Sequence, residues 1–343
     1  MITGRYLSRA AMLAALPLVA GCALAPKAPP PTLSQLGIAD SYSWQSAGFL
    51  EASDAQASAR WWRMCADPVL EGLIGQAIAA GPREGLYARA AALGNAYFAM
   101  RGAQRKIANL QDYITTQDDL LRLAQFRHEA ELVPALDAAL VMAARDRAAA
   151  DMPLQQAAID QARATIAALI GRTPAEVAPE LATEAPIPSC RAEWGGLRPS
   201  QLAEQRDDLR KAADRYGSEG LLGGLGGRSV EAEQAYRQTL LTAYADVESA
   251  RASYTQAAER EDRLTQAQIS AGQVAALARD SYRRGEASYP SLERAESALL
   301  ATRNALADAQ MQRATAAVAF SLALGVPPEP AADEARDTAR AGE

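Results

Sequence analysis

LTAYADVESARASYTQAAEREDRLTQAQISAGQVAALARD, Leu241 to Asp280, contains no proline and a single glycine, Gly272. It is dense in Ala, Glu, Gln, Arg and Leu, strong helix formers, over several times the length a helix needs to persist in water. The predicted helix begins at Ser229. SYRRGEASYP (Ser281 to Pro290) supplies a turn, and Ser291 to Gly325 is a second arm of like composition, so Ser229 to Gly325 reads as one long antiparallel helical hairpin. Small or apolar residues recur in the first arm at alternating steps of three and four: Val247, Ala250, Tyr254 and Ala257, then Leu264, Ala267, Ala271, Val274 and Ala278. That is the narrow seam of a coiled coil rather than a broad core-facing stripe. At 1.5 Å per residue such an arm is about 75 Å long. One globular core cannot use a rod of that length, so it requires other rods beside it.

A second hairpin precedes the first. Helix-forming sequence runs from Leu86 to about Glu129, turns near Glu131 to Pro134, returns from Ala135 to Leu169 and closes at LIGRTP, Leu169 to Pro174. The two hairpins are related by a constant offset of 154 residues, which lays RHEAELVPALD over SYRRGEASYPS and LIGRTP over ALGVPP. Two copies of one hairpin, each closed by Gly and then Pro, constitute a duplication, and duplicated rods build a bundle or a ring. The fold class expected is mainly α, two repeated long antiparallel coiled-coil hairpins. The chain divides into a signal peptide (1–21), a tether (22–60), a leading helix (61–84), a first repeat (85–174), a linker with a short charged helix (175–228), a second repeat (229–328) and a disordered tail (329–343). In the leading helix Asp67 is placed to cap, Pro68 to occupy the first turn, and Leu70, Leu73, Ile74, Ala77 and Ile78 to form one buried face.

The first residues carry Arg5 and Arg9, an apolar run from Ala10 to Ala20 and the small-residue site LVAGC, Leu18 to Cys22, the pattern of a secretory signal. The run is too short to remain as a membrane-spanning helix. LVAGC resembles a bacterial lipobox, in which Cys22 becomes the first mature residue and carries acyl chains such as palmitate. Ala23 stands where inner-membrane lipoproteins commonly have Asp, which points to the outer membrane. Multiple acyl chains anchor a protein far more firmly than one. APKAPPPTLSQLG, Ala25 to Gly37, is then an extended tether.

Formal net charge is −6, and loss of Arg5 and Arg9 makes it more acidic. With no basic stripe to neutralise phosphates, nucleic acid is excluded as a partner. Cys65 and Cys190 remain once Cys22 is modified. Nothing in the sequence places them together, so a disulfide stays open and two separate thiols is the favoured reading. No metal-ligand spacing, cofactor motif or catalytic constellation emerges, so the chain reads as a non-enzyme. His128, the single histidine, has no partner implied by spacing and reads as a packing or surface residue. Asp118 and Asp119, like Asp207 and Asp208, are adjacent on helices and point apart, which makes them solvated faces. GLLGGLGGRS, Gly220 to Ser229, lacks the pattern of a phosphate-binding loop and reads as a turn into the second rod. Trp61 and Trp62 read as an anchor on the helical body.

Several segments together resemble the outer-membrane efflux factor family, the TolC-like channels, and in particular its lipidated NodT-type branch. They are the lipobox Cys22; the WW and DP.L..L motif at Trp61, Trp62, Asp67, Pro68, Leu70 and Leu73; AYFAMRGAQRKIA (Ala96 to Ala108); LIGRTP; RPSQL..QRDDLRKA; LLTAYADVESA (Leu240 to Ala250); and YRRGEASY (Tyr282 to Tyr289). The resemblance implies a homotrimer that is one part of a tripartite efflux system. Long hairpins would form a periplasmic α-barrel, and four strands per subunit a barrel in the outer membrane. The tips would dock on a periplasmic adaptor coupled to an inner-membrane pump. Tip residues so implied are Arg283, Arg284, Gly285 and Glu286 in the second repeat, and Glu131, Leu132 and Val133 in the first. The function implied is passive export through a trimeric duct, without cofactor or metal.

Two departures qualify this expectation. The family places a strand pair after the leading helix and another after the arginine-rich segment. Here AAGPREGLYARAAALGN is all that separates Ile78 from Ala96, and SEGLLGGLGGR all that separates Gly217 from Ser229. A membrane strand needs about 9 to 11 alternating residues, so the barrel strands are expected to be largely absent. The alternative reading is therefore a non-conducting periplasmic helical scaffold descended from the same family. The second departure is Glu131, where the other repeat has Gly285. If the position is left-handed, Glu there costs about 1 kcal/mol, which makes the second tip the better docking candidate.

Overall fold

The computed structural model describes residues 29–42, 61–82, 85–191, 198–222 and 230–325. The signal peptide, the lipidation site Cys22, the glycine-rich residues 223–229 and the tail 329–343 lie outside the described residues. Those described form a short 3-10 helix (Trp61–Cys65) and α1 (Pro68–Ala79), α2 (Leu86–Glu129), α3 (Ala135–Ile170), α4 (Pro174–Leu181), α5 (Pro199–Gln205), α6 (Asp207–Leu222), α7 (Val230–Arg283) and α8 (Tyr289–Leu324). Among them there is no strand, and no helix is long and apolar enough to cross a membrane.

The chain separates into two units. One comprises Met1–Tyr42 with Arg198–Tyr244; the other comprises Ser43–Leu197 with Ala245–Glu343. In the larger unit α1 is capped by Asp67, whose Oδ1 accepts from the Val69 and Leu70 amides at 2.9 and 3.0 Å. Its buried face is Leu70, Leu73, Ile74 and Ala77. Trp61 and Trp62 are both buried, and the Trp61 ring lies so close over Gly94 that a Cβ there would come 2.4 Å from Cη2. The indole edge also meets Phe98. The aromatic pair thus anchors the leading segment on α2.

The long helices form a row. α2 packs on α3 and on α8, and α8 meets α7 through Ala275, Ala295 and Leu299. The duplication is reproduced position for position: α3 and α8 are each 36 residues long, and their bounds differ by the same 154 residues. Each stops at a left-handed glycine, Gly171 at φ 72° and Gly325 at φ 70°.

Three expectations are corrected. The seam of α7 does not pass through Ala267 and Val274, which are exposed, but through Leu264, Gln268, Ala271, Ala275, Ala278 and Tyr282, all buried or half-buried. The steps of three and four hold, but a polar residue occupies one seam position and the more apolar neighbours pointed one residue away. Second, Cys65 and Cys190 form a disulfide rather than two separate thiols. Their buried positions are brought together because α2 and α3 fold back as a hairpin, returning the chain to the leading segment. Third, the charged stretch from Arg198 is two helices, divided where Arg206 is extended at ψ 127°. In the first turn of the second, Asp208 pairs with Arg206 at 2.8 Å, and its Oδ1 accepts from the Leu209 amide at 3.0 Å. Arg206 accordingly holds the Asp208 carboxyl below its usual range.

α4 was not foreseen. Its signal, Thr173 followed three residues later by Glu176, forms a capping box, with Glu176 Oε2 accepting from the Thr173 amide at 2.7 Å.

The smaller unit packs residues 29–42 on α5 and the start of α7. Asp40 accepts from the Ser200 amide at 2.9 Å, and the Tyr42 and Tyr244 rings stack with centroids 5.2 Å apart.

Candidate functional site: the hairpin tips

Both tips are the same backbone structure. At the first, the Glu131 amide donates to His128 O at 2.9 Å and the Leu132 amide to Arg127 O at 2.8 Å; at the second, Gly285 donates to Tyr282 O at 3.0 Å and Glu286 to Ser281 O at 2.9 Å. These paired bonds close a helix around a left-handed residue, the Schellman arrangement. Glu131 has φ 61° and Gly285 φ 77°. The strained position read from the repeat is therefore occupied by glutamate in one tip and glycine in the other.

The side chains differ more than the backbones. The first tip presents apolar residues: Phe126, Leu132 and Leu136 are each more than 60% exposed. Val133 uses its carbonyl, which lies 3.1 Å from His128 Nδ1. The second tip is charged. Arg284 holds Glu286 in a two-point ion pair at 2.9 and 3.0 Å, and Arg283 lies 3.9 Å from Asp280. Arg284 thereby keeps the Glu286 carboxyl below its ordinary range.

One residue that sequence reasoning did not single out ties the tips together. Arg127, near the end of α2, donates to the carbonyls of Tyr282 and Arg283 at 3.0 and 2.7 Å, and its guanidinium lies 4.9 Å from the Tyr282 ring centroid. A cation here satisfies acceptors left open at the end of α7 and complements the helix dipole. Beneath it Leu120, Ala124, Val141, Tyr282, Tyr289 and Leu292 form one buried cluster drawn from all four long helices.

Deeper along the row the repeats are joined by polar groups. Glu293 of α8 accepts from Tyr113 at 2.7 Å, Gln117 at 3.2 Å and Ser297 at 2.6 Å, while the Tyr289 hydroxyl lies 3.0 Å from Gln117 Oε1. Burial, reinforced by this carboxylate, raises the Tyr113 and Tyr289 hydroxyls above the usual phenol range. Glu296, fully buried, is paired with Arg279 in two hydrogen bonds, the Nη2–Oε2 distance being 2.7 Å. At the base, Tyr97 donates to Asp67 at 2.8 Å and accepts from Arg101 at 2.9 Å. Burial pushes its hydroxyl up to about 12. Arg101, itself buried, also donates to Thr183 O at 2.6 Å, so the cap of α1, α2 and the segment after α4 share one network. These groups are positioned and partnered for holding helices together. Among the described residues, no group of three or more His, Cys, Asp or Glu side chains could hold a metal ion.

This geometry, two helical hairpins in a row with matched tips, is that of the helical body of TolC-like channels. Residues 227–326 match the family profile described as outer membrane efflux protein. Among curated proteins none matches the sequence. Solved structures share the fold. The outer-membrane channel OprN is 22% identical with a TM-score of 0.64, the alignment covering 76% of this chain and 71% of that one. The outer membrane protein VceC of Vibrio cholerae is 17% identical with a TM-score of 0.61, covering 80% and 77%. A membrane protein from Pseudomonas aeruginosa is 18% identical with a TM-score of 0.61, covering 81% and 74%. The second repeat thus carries the efflux-protein signature, and the described body has the fold of these channels, without strands among the described residues.

Proposed function

We propose that the protein is a subunit of a passive export duct: an outer-membrane lipoprotein anchored through Cys22, assembled as a homotrimer, and coupled through a periplasmic adaptor to an inner-membrane pump. The observation that carries this reading is that the hairpin matching the efflux profile is also half of a duplicated body with the fold of known channels. The lateral faces of the row support assembly. Leu136, Met142 and Leu154 are exposed on α3, and Ile269, Val274 and Leu277 on α7. Exposed apolar residues on the two outermost helices of the row suit a head-to-tail contact that closes into a ring. Substrates would pass through the lumen of that ring with no covalent step. The adaptor would meet Arg283, Arg284, Gly285 and Glu286 at one tip and Glu131, Leu132 and Val133 at the other.

A second reading, a non-conducting periplasmic scaffold, is favoured by one specific observation. α1 ends at Ala79 and α2 begins at Leu86, while α6 ends at Leu222 and α7 begins at Val230. Neither connection is long enough for a pair of membrane strands of about 9 to 11 residues each. Conductance of the purified lipidated protein in planar bilayers, measured with its oligomeric mass, separates the readings. Trimers that conduct would remove the scaffold. Absence of conductance, with no β signal by circular dichroism, would remove the duct.

A further inference from the structure

Where α2, α7 and α8 meet under the segment joining the repeats, the packing leaves a cavity of about 370 Å³. A polar residue in the α7 seam helps to shape it. Gln268 stands where a coiled coil takes an apolar residue, and Asn109 and Gln310 also face this space. One wall is apolar, formed by Ile187 from the joining segment and by Leu306, both buried. The other wall carries two guanidiniums. Arg303 makes one hydrogen bond, to Asp112, at 3.4 Å. Arg105 has Glu184 as its nearest carboxylate, at 3.6 Å, beyond hydrogen-bonding distance.

Each guanidinium has five N–H donors in a fixed fork. Each also has one carboxylate near it, Asp112 in the lining for Arg303 and Glu184 outside it for Arg105, and both retain N–H groups beyond those contacts. A cavity of this size is large enough for a small molecule, and its mostly polar lining with one apolar face suits a ligand with a charged end. Its roof is fixed in advance. Cys190, three residues beyond Ile187, is bonded to Cys65, and its carbonyl accepts from the Tyr254 hydroxyl at 3.3 Å. Fixing a wall before binding lowers the ordering cost of complex formation.

We propose that this cavity is a binding site for a small organic carboxylate, its anionic end held by Arg105 and Arg303 and its apolar body against Ile187 and Leu306. The site joins residues of both repeats and the segment between them, so occupancy would stiffen that joint. It does not depend on whether the assembled protein conducts.

The test is isothermal titration of the full-length protein with phenylbutyrate, with neutral phenylbutanamide as the matched control and inorganic phosphate as the bare anion. Saturable binding of one phenylbutyrate per chain is expected, at least about tenfold tighter than the amide, since a charge-assisted two-point contact is at stake. Arg105→Gln with Arg303→Gln should abolish that difference, while Arg122→Gln, at an exposed ion pair elsewhere on α2, should leave it intact. Thermal melts establish that the double variant folds. If it does not, the acid-against-amide contrast in the unmodified protein decides alone. No saturable binding of phenylbutyrate, equal affinity for acid and amide, or phosphate binding as tightly as phenylbutyrate would each overturn the proposal.

Discussion

Under the 154-residue offset, the second repeat places Arg279, Tyr282, Tyr289, Glu293 and Glu296 where the first has Gln125, His128, Ala135, Ala139 and Met142. The backbones at these positions are the same, down to the hydrogen bonds of the turn. Their surroundings are not. α8 lies between α2 and α7, and the carboxylates it turns toward them, half-buried Glu293 and buried Glu296, find partners within the row. α3 packs along α2 and leaves Met142 and Leu154 exposed. The difference teaches that the turn is specified by backbone hydrogen bonding common to both copies, whereas each repeat's chemistry follows its place in the row. The second copy carries the buried ion pair and the linked hydroxyls where the first has Gln125, Ala135, Ala139 and Met142, while both copies leave apolar residues exposed, on α3 and on α7.

The disulfide sharpens this division, because the loop it closes, with a sequence separation of 125, contains the whole of the first hairpin and none of the second. Replacing both Cys65 and Cys190 by Ser should therefore produce the largest effect, a loss of about 5 kcal/mol on the chain-entropy account. Urea unfolding gives the number. Hydrogen exchange gives the location, which should be α2 and α3 more than α7 and α8. Equal loss of protection in both repeats would break the comparison. Next in size is Arg279→Leu, which leaves Glu296 buried without its cation and should cost about 3 kcal/mol. The same change at the counterpart, Gln125→Leu, should stay within about 0.5 kcal/mol. Pairing Arg279→Leu with Glu296→Leu should restore most of the loss, since both charges are then gone.

Much of this architecture is legible in the sequence because it rests on local rules. Absence of proline, helix-forming composition and Gly-then-Pro closures define the rods. The repeat offset then transfers the turn from one copy to the other, so the left-handed state of Glu131 is implied by Gly285 at the matching position. What is not legible depends on non-local register. Gln268 occupies the seam although it is polar, and a pattern built on apolarity alone selects Ala267 and Val274. The disulfide joins residues whose proximity exists only after the hairpin closes. Arg127 gives no sign in its own neighbourhood that it will reach the carbonyls of Tyr282 and Arg283. The capping box at Thr173 and Glu176 is a different kind of miss, since its spacing is plain in the sequence.

The tips supply the two smaller tests. Gly285→Glu imports into the second tip the residue that the first already has, and should cost about 1 kcal/mol for a side chain at positive φ. The reverse change, Glu131→Gly, should gain less than that, because glycine also loses more freedom on folding. Both are read as shifts in the urea midpoint, and a Gly285→Glu variant as stable as the parent would mean that the second turn does not hold its left-handed form. The smallest effect concerns charge. Arg284 depresses the Glu286 carboxyl in the folded state, so the pair contributes stability above the pKa of the unfolded carboxyl, about 4, and loses it as pH falls through the lower folded value. Both partners are exposed, and near neutrality such a pair is worth little. Glu286→Gln should accordingly lower the midpoint at pH 7 only slightly and leave it unchanged below the folded pKa, so that the acid limb becomes shallower by that same small amount. The counterpart Leu132 has no proton to exchange, so Leu132→Gln should leave that limb as it was. An acid limb unaltered by Glu286→Gln would show that the Arg284–Glu286 pair contributes nothing to the stability of the fold.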